Sequence, residues 1–206
     1  DDVRHHFPSG KATLDICFVA EKYMPHGANK GYPEFIESVR QLIARRPDLP
    51  FRFHVVGSCT AADWNTEGLT SLIQFHGRLN TPALQQFYRR MDLIISPNQP
   101  YLLHEGNFDG FPTGCCVEAS LCGVCMAATD VLNLNPAYVD QRDMALIAPR
   151  PDMIAESVLR LIEQGSLASV ARAGQRLTRN LFSPAVQLHS RLKLIRRFAR
   201  QSGVRL

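Results

Sequence analysis

Apolar residues fall along this chain in short continuous runs that alternate with stretches of helical periodicity. The run LDICFVA at 14–20 is typical of a buried strand, whereas over 32–46 apolar residues recur three or four positions apart. The same pattern predicts strands at 14–20, 51–57, 72–76, 93–96, 124–129 and 144–148, and helices at 32–46, 81–91, 113–122, 152–164, 167–180 and 184–200. Strands that alternate with helices form parallel sheets with right-handed crossovers. We therefore expect an α/β fold with a doubly wound parallel sheet of about six strands and C-terminal helices.

The pattern divides the chain into three parts. The polar residues 1–13 predict a linker or the tail of something that precedes them, residues 14–182 hold the strands with their helices, and residues 183–206 predict a basic C-terminal helix. In doubly wound sheets, ligands bind beyond the carboxyl ends of the strands. We therefore expect functional residues in the segments 21–31, 57–60, 76–80 and 97–113.

Composition excludes several classes of protein. Of the 206 residues, 45% are hydrophobic and 20% are charged, which favours a folded globular chain over a disordered one. No apolar run approaches the roughly 20 residues that cross a membrane, and the first residues do not form a secretory leader. These features predict a cytoplasmic protein.

Charge is distributed unevenly beneath the net charge of +4. Nine of the 23 Lys and Arg residues lie between Gly165 and Leu206, where there is no Asp or Glu. Such a tail suits an acidic partner, lipid headgroups or nucleic acid, and it equally suits a solvated helix face. Helix 184–200 also has a partial apolar side, so we expect weak contact with the inner face of an anionic membrane and no nucleic-acid binding.

Six cysteines resemble a disulfide set only by their number. Cys122 and Cys125 have thioredoxin-like spacing, but this pair closes a helix and opens a strand, which is the reverse of the redox motif. No second Cys or His pair has zinc spacing, and His26, His76 and His104 stand in no ligand motif. We expect reduced, mostly buried thiols and no metal site.

Glu118 is the only charged residue between Phe111 and Thr129. A carboxylate in such apolar surroundings has to be paired, hydrogen-bonded or pointed into a cleft. Gly114 lies four residues earlier, hence on the same helix face, and leaves space for a ligand above the carboxylate. The alternative is a structural glutamate bonded to the local backbone or to a nearby Arg.

Several other residues suit a phosphorylated ligand. Lys22 and Lys30 flank the loop after the first strand, where they either bind a diphosphate or are ordinary surface lysines. Arg78 ends another strand and could reach a base or a phosphate. Glycines and a Thr at a helix N-terminus expose N–H groups that suit phosphate, although an ordinary cap has the same composition. This helix is entered through Asp109, Gly110, Phe111, Pro112, Thr113 and Gly114.

The absence of GxGxxG after a strand and of GxxxxGK[ST] argues against nicotinamide dinucleotide and P-loop binding.

The order of these segments is more specific than any one of them. They are Lys30-Gly31, then Phe75-His76-Gly77, then Asp92 to Pro97, then Asp109 to Thr113 followed by Val117-Glu118-Ala119 and Cys122-Gly123-Val124. Over residues 14–182 this order resembles the C-terminal, Rossmann-like, nucleotide-sugar-binding half of a group 1 (family 4) glycosyltransferase of the GT-B fold.

The resemblance implies a role for each residue. Lys30 and Lys22 hold the donor diphosphate, Glu118 bonds the donor ribose, and Asp109 contacts the donor sugar. Asp109 and Glu118 are nine positions apart, where the family usually has eight. Further donor contacts are implied for Gly110, Phe111, Pro112, Thr113, Gly114 and Arg78.

The activity implied by the resemblance is transfer of a sugar, with retention, from a nucleoside-diphosphate sugar to an acceptor in bacterial polysaccharide or glycoconjugate synthesis. The donor is a substrate, and no cofactor is expected. The acceptor-binding N-terminal half is expected elsewhere in a longer polypeptide, and in the family the last helix often docks on it. This chain alone is therefore expected to bind a donor but not to transfer its sugar. A stand-alone nucleotide-binding module and a GT-B nucleotide-sugar epimerase are the alternatives.

Overall fold

The computed structural model describes residues 6–201, and most elements lie within one or two residues of the predicted bounds. Residues 1–5 of the predicted linker and 202–206 of the basic tail lie outside the described residues. A short 3-10 helix, Pro25–Lys30, occupies part of the segment after the first strand, for which the pattern predicts only a loop. The elements are β1 Leu14–Ala20, α1 Tyr32–Arg45, β2 Phe51–Gly57, β3 Ile73–Gly77, α2 Thr81–Tyr88, β4 Leu93–Ser96, α3 Gly114–Leu121, β5 Cys125–Thr129, β6 Ala145–Ile147, α4 Pro151–Glu163, α5 Leu167–Leu181 and α6 Pro184–Gln201.

The strands form one six-stranded sheet in the order β3-β2-β1-β4-β5-β6. Every pairing is parallel, and β1 pairs with β2 from Leu14 opposite Phe51 to Ala20 opposite Gly57. This is the Rossmann strand order, so the predicted fold class is confirmed.

Side chains that alternate along the strands build a hydrophobic core on each face of the sheet. On one face Ile16, Phe53 and Ile95 pack with residues of α1 and α4. On the other face Cys17, Val56 and Ile94 pack with residues of α2 and α3. The period of two in each strand thus places helices on both faces of the sheet.

The sheet reverses its strand order between β1 and β4. The chain leaves β1 towards α1 on one face and leaves β4 towards α3 on the other, so the two connections diverge and open a crevice at the carboxyl ends of the strands.

The six cysteines, all among the described residues, are free thiols, as predicted. Four are buried, and Cys115 and Cys122 are partly exposed. In residues 6–201 we find no helix with the length and apolar character needed to traverse a bilayer.

Candidate functional site

A cleft of about 450 Å³ lies at the carboxyl ends of the central strands. Its walls include the ends of β1 and β2, the loop 97–113 and the first turn of α3. Of the residues singled out from the sequence, it is lined by Lys30, Arg78, Asp109, Thr113 and Gly114.

Lys30 is held in this cleft by the geometry of the residue that follows it. Gly31 has a φ of 72°, and a Cβ added there would lie 2.1 Å from the carbonyl oxygen of Pro97. Only glycine allows this approach, which brings the segment after β1 against the end of β4. A second link is the hydrogen bond that the Gln99 amide donates to the carbonyl of Asn29, at 3.0 Å.

The ammonium group of Lys30 lies between a carboxylate and an aromatic ring. Its Nζ is 2.5 Å from Oδ2 of Asp109 and 4.9 Å from the centre of the Tyr23 ring. Asn98 donates a hydrogen bond of 3.0 Å to the same Oδ2. Lys30 is only 8% exposed, so its charge is confined to the cleft.

The N-terminus of α3 forms the opposite wall. Thr113 is the N-cap, but its hydroxyl makes no capping bond and instead lies 3.3 Å from the Ser96 hydroxyl and 3.1 Å from the Cys115 sulfur. The first N–H groups of α3 therefore lack a side-chain cap where Thr113, Gly114 and Cys115 line the cleft. A Cβ added at Gly114 would meet no atom within 4 Å, so open space lies beside this turn. The arrangement suits an anion.

Cys115 adds a thiol to the cleft. Hydrogen bonds from Cys116 and then Thr113 outweigh desolvation and hold the pKa of Cys115 below its ordinary value. The pKa of the neighbouring Cys116 is raised, because Cys115 is its hydrogen-bond partner and because the side chain is buried. A helix N-terminus favours thiolate for the same electrostatic reason that it favours phosphate.

Glu118 lies one turn beyond Gly114 and is exposed rather than buried. Its carboxylate has no hydrogen bond or ion pair within residues 6–201, so the structure does not pair it as a structural glutamate. It does not line the cleft, and its role in ribose binding stays a prediction.

Gly110, Phe111 and Pro112 carry the chain from Asp109 to α3. Gly110 has a φ of 78°, which favours glycine in this turn. Gly110 and Phe111 line a smaller depression that adjoins the cleft through Asn98 and Asp109, whereas Pro112 is buried.

Lys22 does not share the cleft with Lys30. Its Nζ lies 2.5 Å from Oδ1 of Asp63, and the cleft lining does not include it. Asp63 is 41 positions further along the chain, and nothing in the spacing of Lys22 and Lys30 indicates that pairing. A diphosphate contact from Lys22 would require its release from Asp63.

Arg78 lines the cleft but is engaged with a residue that the sequence did not single out. Its guanidinium donates hydrogen bonds of 3.0–3.1 Å to both carboxylate oxygens of Glu21. The Arg78 side chain is 76% exposed, so the pair is largely solvated. Hydrogen bonding to Arg78 lowers the pKa of Glu21.

Sequence reasoning missed Tyr23, Asn98 and Cys115, which all line the cleft. Asn98 follows β4 almost directly, and its position after a strand end was a usable signal. Within residues 6–201 no group of three or more His, Cys, Asp or Glu side chains is arranged to hold a metal ion.

Comparison with known proteins gives the family. The family model for glycosyl transferases group 1 matches residues 14–164. D-inositol 3-phosphate glycosyltransferase from Paenarthrobacter aurescens (strain TC1) is 26% identical over 125 residues, which cover 57% of this chain and 28% of that protein. This chain therefore spans less than a third of that relative's length.

Two solved structures illustrate the likeness in fold. The C-terminal domain of the group 1 family glycosyl transferase LpcC from Francisella tularensis has a TM-score of 0.64 and 20% identity, over 83% of this chain and 87% of that chain. Anabaena Alr3699/HepE in complex with UDP and glucose has a TM-score of 0.68 and 18% identity, over 89% of this chain and 48% of that chain. Because the family model covers most of the residues, including β1 to β6 and the cleft, the chain belongs to the glycosyl transferases group 1 family.

Proposed function

We propose that this chain is the donor-binding domain of a retaining glycosyltransferase and that its cleft holds a nucleoside-diphosphate sugar. One observation carries the proposal: Lys30 and the uncapped N-terminus of α3 line the same cleft at the switch point of the sheet. A nearly buried ammonium group and a set of free N–H groups together suit the two phosphates of such a donor.

The chemistry of the proposed reaction requires charge stabilisation at this point. Transfer breaks the bond between the anomeric carbon and the diphosphate oxygen, and negative charge develops on the departing nucleoside diphosphate. Lys30 and the first turn of α3 would stabilise that charge by preorganised electrostatics. When Lys30 turns to the diphosphate, Asp109 is released to accept hydrogen bonds from the donor sugar, while Asn98 keeps it oriented.

The remaining groups belong, in this proposal, to an acceptor-binding domain in a longer polypeptide. This chain matches 28% of its curated relative and 48% of the Anabaena protein, which leaves room for a second domain in each. Lys22, Gly110, Phe111, Pro112 and Glu118 are proposed as further donor contacts that form once the ligand is bound.

The proposed setting is bacterial polysaccharide or glycoconjugate synthesis in the cytoplasm, with peripheral contact at the inner face of the membrane as an option. Support comes from the bacterial origin of the relatives. The stand-alone binding module and the epimerase are the competing functions.

A thermal-shift screen of UDP, GDP and ADP tests the proposal. A nucleotide at 100 times its Kd stabilises the folded state by about 2.7 kcal/mol, which is a readily measured rise in Tm. We expect one nucleoside diphosphate to raise the Tm of the wild type and to raise that of Lys30→Met clearly less. No shift with any nucleotide at millimolar concentration would refute donor binding.

Transfer is tested separately with the best-binding donor and an acceptor. Positioning the acceptor supplies several kcal/mol of the barrier reduction, so we expect turnover from the longer polypeptide and none from the 206 residues alone. Mass spectrometry of products formed without an acceptor distinguishes the epimerase, and binding without any turnover in the longer polypeptide favours the binding module.

A further inference from the structure

A second, larger cavity of about 1230 Å³ lies at the opposite end of the sheet. It is bounded by residues near the start of β1, β2 and β3, by the ends of α2 and α3, and by one side of α5. Along β2 the larger cavity is lined by Arg52 and His54, whereas the donor cleft is lined by Val56 and Gly57, so the two sites share no lining residue.

The part of the sheet that lines the cavity carries polar side chains. Asp15 lies opposite Arg52 in the register of β1 and β2, and His54 lies opposite Gln74 in that of β2 and β3. These positions alternate with the apolar residues that pack against α1, so they face the side of α2, α3 and α5. Phe87 of the eight-residue helix α2 packs against His54, which is buried, but α2 leaves Arg52 and Gln74 exposed.

The charge of the cavity is strongly positive and uncompensated. Lys11 is already neutralised, because its Nζ lies 2.8 Å from Asp15 and 2.7 Å from Asp92. The remaining cations are exposed arginines, and in residues 6–201 none of their guanidinium groups has a carboxylate within ion-pair distance. They are Arg52, Arg89, Arg90, Arg172 and Arg179.

Two histidines in the cavity wall form a hydrogen-bonded pair, and the pKa of one of them is lowered. Nδ1 of His54 lies 3.0 Å from Nε2 of His76, and both rings line the cavity. Desolvation, followed by the charges of His54 and Arg90, lowers the pKa of His76. Burial is thus the main reason that protonation of His76 is disfavoured, and the charge of Arg90 acts in the same direction.

We propose that this cavity is a binding site for a compact soluble anion with several phosphate groups. Guanidinium groups bind phosphate in a bidentate manner, and arginines that line one cavity from β2, from the residues after α2 and from α5 can engage several phosphates. The volume exceeds the ~300–1,000 Å³ of ordinary small-ligand pockets, so it has room for such an anion with its water. The site shares no lining residue with the donor cleft.

Inorganic tripolyphosphate is the probe that tests the site. Calorimetry is performed at about 50 mM salt with UDP at saturation, so that the donor cleft is occupied. We expect binding that weakens steeply as salt is added. Arg89→Gln/Arg179→Gln should weaken it about tenfold or more, because charge-assisted hydrogen bonds are lost.

The matched control is Arg45→Gln/Arg150→Gln, which removes the same charge from exposed positions outside the cavity and should leave the affinity unchanged. Tripolyphosphate should also raise the pKa of His76, followed by NMR, because a bound anion offsets the arginine charges. Equal weakening by the control pair, displacement by UDP, or absence of binding at millimolar tripolyphosphate would each overturn the proposal. Binding only to anionic lipid vesicles would overturn it as well.

Discussion

Lys30 and Asp109, 79 positions apart in the chain, meet at the switch point of the sheet, with Nζ 2.5 Å from Oδ2. The lysine follows β1 and the aspartate follows β4, so their contact joins the two loops that diverge to opposite faces. If the cleft binds a nucleoside diphosphate as proposed, the phosphate would replace the Asp109 carboxylate beside the Lys30 ammonium group. Donor binding would then exchange one anionic partner of Lys30 for another.

Lys30→Met should weaken binding of the nucleoside diphosphate, because the substitution keeps the aliphatic stem and removes the charge. The loss of one charged hydrogen bond is worth about 1.5–3 kcal/mol, or roughly 10- to 150-fold in Kd by calorimetry. Lys22→Met is the matched comparison, since Lys22 is held by Asp63 outside the cleft. Equal losses from both variants would restore the predicted role of Lys22, and no loss from Lys30→Met would refute the assignment of Lys30.

Glu118→Gln should lower nucleotide affinity by a similar factor, roughly 10- to 150-fold, with little change in Tm. The carboxylate is exposed and unpaired within residues 6–201, so its removal leaves no group in the described chain without a partner. Glu67→Gln, at another exposed position, serves as the control. Unchanged affinity in Glu118→Gln would refute the ribose contact.

Gly31→Ala should destabilise the protein by about 2 kcal/mol or more in urea unfolding, because the new Cβ combines a left-handed backbone cost with a clash against Pro97. Gly68→Ala isolates the backbone cost. Gly68 has a φ of +76°, but a Cβ there meets nothing within 4 Å, so its loss should be about 1 kcal/mol. Equal losses would show that the contact with Pro97 is unimportant.

Cys115 should be the first cysteine to react with iodoacetamide, and a bound nucleoside diphosphate should protect it. Its lowered pKa keeps thiolate present at a lower pH than for an ordinary thiol, so the pH profile of its alkylation should shift to lower pH. Cys59 provides the contrast, because burial raises its pKa to about 11 and it should stay unmodified at pH 7. Peptide mass spectrometry assigns the sites, and preferential labelling of Cys59 would contradict the expectation.

Helix α6 should bind anionic vesicles weakly at low salt. Leu192, Ile195 and Phe198 are exposed on it, and Arg196 and Arg197 supply positive charge. Co-sedimentation with phosphatidylcholine vesicles, with and without phosphatidylglycerol, measures the effect, and Arg196→Gln/Arg197→Gln should remove it. Sedimentation that does not depend on the anionic lipid at low salt would contradict this expectation and leave docking on the proposed acceptor-binding domain as the alternative.

The sheet was predictable because most of its strands are short apolar, β-branched runs of three to seven residues, too few for a typical helix. Strands β1, β2 and β4 begin and end at the predicted residues. The helix after β3 was predicted too long, to Met91, whereas α2 ends at Tyr88. Apolar residues that continue beyond α2, such as Met91, belong to the approach to β4 and extend the periodicity without extending the helix.

A place in the cleft was predictable for residues in the segments that follow strand ends, as for Lys30, Asp109 and Arg78. It was not predictable where the outcome depends on a distant partner. Lys22 forms an ion pair with Asp63 outside the cleft, and Arg78 forms one with Glu21. Neither ion pair is indicated by the local spacing of residues in the sequence. Glu118 was expected to need a partner because its sequence neighbours are apolar, yet its position on α3 exposes it to solvent.

The pair of His54 on β2 and His76 on β3 determines where protons reside beside Asp15. Burial alone would raise the pKa of Asp15, but hydrogen bonds from His54 and Lys11 outweigh it and hold that pKa well below its usual range. The ionised carboxylate can only accept, so Nε2 of His54, 3.0 Å away, carries the hydrogen. When both rings are neutral, Nδ1 of His54 must then accept from Nε2–H of His76. Both imidazoles are thereby fixed as the Nε2–H tautomer, and the direction of hydrogen bonding runs one way, from His76 through His54 to Asp15.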